Sequence, residues 1–132
     1  MTIEAFAASW APRLLSVLRI VSGLLFLQHG TAKYLKIPVL QMFAKVEPFS
    51  LVGIAGMLEL AGGVLLILGL FTRCTAFVLS GLMAVAYFLA HAPLGFYPIA
   101  NAGELAVLYC FVFLYIAAAG PGPWSLDAAR QK

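Results

Sequence analysis

Apolar residues recur along this chain in four long stretches with little polar relief, roughly residues 14 to 35, 49 to 71, 74 to 91 and 99 to 119. Within each stretch they occupy every helical face rather than one stripe, which predicts helices with apolar surroundings on all sides. Each approaches the length of about 20 residues that carries a helix across the hydrocarbon core of a bilayer. The second holds thirteen Leu, Ile, Val or Phe residues, favouring insertion by about 4 to 8 kcal/mol against about 3 kcal/mol for the single carboxylate of Glu59. Insertion is expected even with that carboxylate inside.

The connections are short. FTRC joins the second stretch to the third and APLGFYP the third to the fourth, so consecutive helices should run antiparallel. Residues 36 to 48, KIPVLQMFAKVEP, hold a short apolar run between Pro38 and Pro48 that is too brief to span and predicts a short interfacial helix. The sequence thus reads as all-α: one domain over residues 1–132, an integral membrane four-helix bundle, closed by a tail (120–132) in which GPGPWSLD ends the last helix.

Composition narrows the picture further. Hydrophobic residues make up 64% of the chain and charged residues only 10%, against about 25% in soluble domains, so a water-soluble surface cannot be built from it. The net charge of +3 comes from Lys and Arg flanking the apolar stretches, with no basic patch interleaved with aromatics, so nucleic acid is not an expected partner and the lipid bilayer is. Arg13, Arg73, Arg130 and Lys132 collect on one side, with Arg19 a turn or two inside, while Lys33, Lys36 and Lys45 lie on the other and residues 92 to 100 carry neither Lys nor Arg. That asymmetry predicts a multi-pass protein with both termini in the cytoplasm. The first apolar stretch is followed by Lys33 and Lys36 rather than by a small-residue cleavage site, and reads as a retained helix.

Ionisable residues inside a membrane are costly, about 2.5 to 3.5 kcal/mol at a helix centre, and should face the bundle and find partners. They are Arg19, His29, Lys33, Glu59, His91 and Glu104, with Asn101 beside the last. Arg19, Lys33, Glu59 and Glu104 balance in charge, which predicts one polar cluster, and His29, Lys33, His91, Asn101 and Glu104 should share the half of the membrane away from the termini. Helical phase places Ser22, His29 and Lys33 on one face, Gly56, Glu59 and Gly63 on another, Ser80, Ala84, Tyr87 and His91 on a third, and Asn101, Glu104 and Tyr115 on a fourth. Two readings stay open at this point: a structural network holding the helices together, and a ligand or proton site in which the carboxylates and histidines exchange protons. No HExxH-like spacing supports a metal site, no flavin, nicotinamide or iron-sulfur motif is visible, and Cys74 and Cys110 are too far apart in the sequence to suggest a disulfide or a redox pair.

Arg19, Gly23, His29 with Gly30, Lys33, LELAGG at 58 to 63, LGLFTR at 68 to 73, NAGEL at 101 to 105 and GPGPWSLD at 120 to 127 together resemble the DoxX family of small bacterial four-helix membrane proteins. The resemblance runs over nearly the whole chain. It implies a bacterial inner-membrane location and, from some relatives, a place as membrane subunit of a quinone-linked or oxidative-stress redox complex, at most part of an oxidoreductase rather than an enzyme alone. It also implies a protein partner or a homo-oligomer. Carried onto this sequence, the family pattern falls on Arg19, Lys33, Glu59, Arg73, Asn101, Glu104 and Asp127. His29, Lys33, Glu59, His91, Asn101 and Glu104 are thus the ligand- or proton-site candidates, with quinone as the fitting ligand, and Arg19, Arg73 and Asp127 the candidates for structural ion pairs. The competing expectation is a non-enzymatic assembly or interaction protein whose polar core is structural.

Overall fold

A computed structural model describes residues 1–131 as helices and turns, with no strand among them; Lys132, counted above among the cytoplasmic charges, lies outside the described residues. Helix α1 (Ile3–Tyr34) is 32 residues long and begins well before the apolar window, because Thr2 accepts the Ala5 amide as an N-cap and the alanine-rich start favours helix. Ser50 caps α2 (Leu51–Leu68) by accepting from the Gly53 amide at 3.0 Å, and Gly69 ends it in the left-handed conformation. After that tight turn α3 (Thr72–Ala86) runs on through a π-helical segment, Tyr87–His91, into a 3-10 turn, Ala92–Leu94.

The fourth apolar stretch is not one helix. A single turn, α4 (Pro98–Asn101), is separated from α5 (Glu104–Ala119) by Ala102, whose φ is +60°. The expected interfacial helix between Pro38 and Pro48 is only a three-residue 3-10 turn, Gln41–Phe43, since the segment is too short to sustain helical hydrogen bonding. A last short helix, α6 (Leu126–Arg130), closes the tail. Among the described residues three helical stretches are long and apolar enough to cross a membrane, Ile3–Tyr34, Leu51–Leu68 and Thr72–Leu94, and Glu104–Ala119 is a shorter apolar helix. Three to four apolar helices of this kind make a helical bundle suited to a membrane.

Two helix pairs build the bundle, α1 with α2 and α3 with α5, joined chiefly where α2 meets α3. The first pair packs backbone against backbone. A Cβ on Gly30 would lie 2.8 Å from the Leu60 amide nitrogen, and one on Gly63 would lie 3.0 Å from the Leu27 Cα, so only glycine permits this approach. The second pair packs side chain against side chain around Leu79, Met83, Tyr109, Phe113 and Ile116. Phe26 of α1 joins that core, its ring edge-on to Phe113 at 5.1 Å and to Tyr109 at 5.5 Å. The antiparallel register of α1 and α2 sets two ends: a tail end, where Arg19 meets Leu66, and a loop end, where the Tyr34 hydroxyl donates to the Gly53 carbonyl at 2.6 Å.

Candidate functional site

At the tail end Arg19 is fully buried, and each of its three side-chain nitrogens donates to a backbone carbonyl. Nε donates to Leu66 at 2.8 Å, Nη2 to Trp124 at 2.7 Å, and Nη1 to Pro121. Ser16 adds a bond from the Trp124 amide at 3.1 Å, so the tail is fastened across α1 and the end of α2. Asp127 accepts the Phe71 and Thr72 amides, each at 2.9 Å, and so caps α3 from the tail. Its carboxyl is held below the ordinary range: burial pushes it up, but those two amides and the nearby Arg130 outweigh that. Arg73 donates to the Ala117 and Ala118 carbonyls at the end of α5. Arg19, Arg73 and Asp127, expected as candidates for structural ion pairs, are thus bonded to backbone groups: Arg73 and Asp127 at helix ends, and Arg19 at the end of α2 and in the tail.

Lys33 and Glu59 form the one salt bridge among the described residues. The ammonium donates to both carboxylate oxygens, at 2.8 and 2.7 Å, and the side chains are only 8% and 5% exposed. Lys33 closes α1, and Glu59 sits on the buried face of α2 between Gly56 and Gly63, where the close helix approach lets a lysine reach across. The Phe43 ring lies 5.3 Å from the Lys33 ammonium, and Lys36 donates to the Lys33 and Phe43 carbonyls, tying the connection down over the pair. One turn before Lys33, the half-buried His29 ring faces Phe26 at 6.5 Å and the edge of Tyr109 at 6.4 Å. Neither the His29 imidazole nor the Tyr109 hydroxyl has a hydrogen-bond partner among the described residues, and neither is sealed from all contact. The pair thus has an imidazole one turn away on α1, which in turn faces Phe26 and Tyr109, and these are groups that a polar-headed apolar molecule or a proton could use.

The other candidates lie elsewhere. His91 Nδ1 donates to the Asn101 carbonyl at 3.0 Å, which fixes the proton on that nitrogen, and its ring stacks on Tyr87. The Asn101 amide donates to Tyr87 Oη at 3.2 Å and the Gly95 carbonyl at 2.9 Å, while its oxygen accepts the Gly103 amide at 2.8 Å. These bonds hold the connection from α3 to α5, and among the described residues none links them to Lys33 or Glu59. Glu104 is exposed in the first turn of α5, beside Ile99, Leu105 and Leu108. The single charge-balanced cluster expected of Arg19, Lys33, Glu59 and Glu104 is thus divided: Arg19 is at the tail end, Lys33 and Glu59 pair, and Glu104 faces outward.

Helical phase failed at one place. Counting from Asn101 brings Tyr115 inward, but the Ala102 break restarts the helix, so Tyr115 is exposed and Tyr109 is buried. The missed signal was local: Ala106, Tyr109, Phe113 and Ile116 repeat at spacings of three, four and three and form the inward seam of α5. Phe43 carried no such signal, because its place depends on how Lys36 folds the connection back. No group of three or more His, Cys, Asp or Glu side chains is placed to hold a metal among the described residues, and Cys74 and Cys110 are unpaired.

A protein of Haemophilus influenzae described only as uncharacterized is 49% identical over 124 residues, covering 89% of this chain and 91% of that protein. No solved structure matches. The sequence profile of the DoxX family matches residues 14–92, a stretch that contains Arg19, His29, the Lys33–Glu59 pair, Arg73 and His91 but stops before Asn101, Glu104 and Asp127. With well over half of its length matched, the chain belongs to the DoxX family.

Proposed function

We propose that this chain is a four-span inner-membrane subunit of a quinone-linked or oxidative-stress redox complex, with the Lys33–Glu59 pair as its ligand or proton site. The observation that carries the reading is the pair itself, buried at 2.7 Å with His29 one turn away and Tyr109 facing that ring, neither of which has a hydrogen-bond partner among the described residues. Burying such a pair gains little stability over well-packed apolar residues, which makes a role beyond packing the better account of it. A quinone offers two carbonyls for Lys33, His29 and Tyr109 and a tail for the apolar surroundings; a proton would pass between Glu59 and His29. Both termini belong in the cytoplasm on this reading, because Arg13, Arg73 and Arg130 flank the tail end while residues 92 to 100 carry no Lys or Arg.

A specific observation favours a second reading, a non-enzymatic assembly protein. The Arg19 clamp shapes the GPGPWSLD tail into an ordered surface that a partner subunit can recognise. Purification in mild detergent, with lipid-extract analysis for bound quinone and a screen for a stoichiometric protein partner, separates the two. The first reading expects quinone bound to the parent protein and lost in Glu59→Gln; a partner without quinone, unaffected by Glu59→Gln, overturns it.

A further inference from the structure

Both connections at the loop end carry large exposed apolar side chains: Val39 at 80%, Met42 at 77% and Phe49 at 92% on one, Leu94 at 72%, Phe96 at 87% and Ile99 at 82% on the other. The tail end exposes apolar side chains too, Ile3 and Phe6 on the projecting start of α1, but its inter-helix turn is short and its exposed Phe71 lies under the Arg130 guanidinium. On α5 (Glu104–Ala119) the outward Leu105 and Leu108 line one shallow groove with Ile99, Pro98 and Ala102, so the lipid-facing surface runs directly onto α4. Glu104, exposed in the same groove, is costly inside hydrocarbon, so this level lies no deeper than where the polar headgroups begin.

We infer that the two connections form one apolar rim docked in the headgroup layer of the bilayer, at the depth of Glu104, instead of standing in water. The rim rests on the four-span reading above. Its consequence is that the Lys33–Glu59 pair, which lies beneath the Phe43 side of this rim, is approached from lipid and not from the aqueous phase.

Nitroxide labels on single cysteines test the rim in phospholipid vesicles, in a Cys74→Ser, Cys110→Ala background, with oxygen as the lipid-partitioning and a nickel chelate as the water-confined relaxation agent. Labels at Met42→Cys, Phe96→Cys and Ile99→Cys replace exposed side chains, so packing is kept. They should collide more with oxygen than with nickel, less strongly than a label at Phe111→Cys on the outer face of α5 and opposite to one at Gln131→Cys, exposed in the tail and outside the rim. Rim labels that match Gln131→Cys overturn the proposal, as does low access to both agents, which would assign the rim to a protein contact. If Phe111→Cys itself does not favour oxygen, the span reading fails; if only the rim labels fail, that reading stands and the rim alone is lost.

Discussion

Arg19 and Lys33 are both buried cations on α1, yet Arg19 directs its guanidinium at three backbone carbonyls while Lys33 meets one carboxylate across a glycine-packed interface. Carbonyls do not titrate. The partners of Arg19 thus hold one charge state, and its role is to fasten the tail to α1 and α2. Lys33 has a partner whose charge can change, with the His29 imidazole one turn away and facing Tyr109, neither of them hydrogen-bonded among the described residues. A buried cation alone therefore says nothing about function; the chemistry of what it touches does.

The comparison breaks most visibly if one member of the ion pair is removed. Glu59→Leu leaves a buried ammonium without its carboxylate and should cost about 3 to 5 kcal/mol, read as a fall in thermal or denaturant midpoint in detergent. Arg19→Met leaves the Leu66 carbonyl with the Gly69 amide and the Pro121 carbonyl with the Ser16 hydroxyl, so only the Trp124 carbonyl loses its sole donor, at about 1 to 3 kcal/mol. It should release the tail, seen as faster proteolysis after Gly120, with His29 and Tyr109 undisturbed. Were Arg19→Met silent, the fastening role would be wrong.

Asp127 gives a smaller effect with a defined sign. Its carboxyl titrates lower folded than unfolded, so the unfolded chain takes up the proton more readily; the stabilisation is present above the unfolded value, about 3.9, and is lost as pH falls through the folded one. Thermal midpoints should therefore drop on acidification below about pH 4, and Asp127→Asn should flatten that drop. His29→Ala, at a half-buried ring that faces Phe26 and Tyr109 without a hydrogen bond among the described residues, should cost only about 0.5 to 1.5 kcal/mol of stability while reducing quinone binding. A large loss of stability with binding intact would make His29 a packing residue.

Much of the fold was legible because lipid-facing helices announce themselves by unbroken apolar runs, as in α2 and α3. What was not legible came from local chemistry within those runs. The start of α1 at Ile3 was hidden because hydropathy marks apolar windows and not caps, and the split between α4 and α5 because Ala102 has no preference that would signal a left-handed residue. For the site, the phase of Lys33 on α1 and Glu59 on α2 was readable, but pairing them needed the register that Gly30 and Gly63 set. The partners of Arg19, Arg73 and Asp127 were not legible because charge counting pairs charges with charges, and these three bond backbone groups at helix ends and in the tail. Glu104 was drawn into the cluster by the same counting.

The central claim is that the Lys33–Glu59 pair serves function and not stability. The direct test replaces both at once, Lys33→Met with Glu59→Leu, and measures thermal midpoint and bound quinone on the same purified protein. Removing both charges together leaves nothing buried and unpaired, so stability should return to the parent value or above it, while quinone binding is lost. A double variant that is as unstable as Glu59→Leu alone, or one that is stable and still holds quinone, would contradict the account.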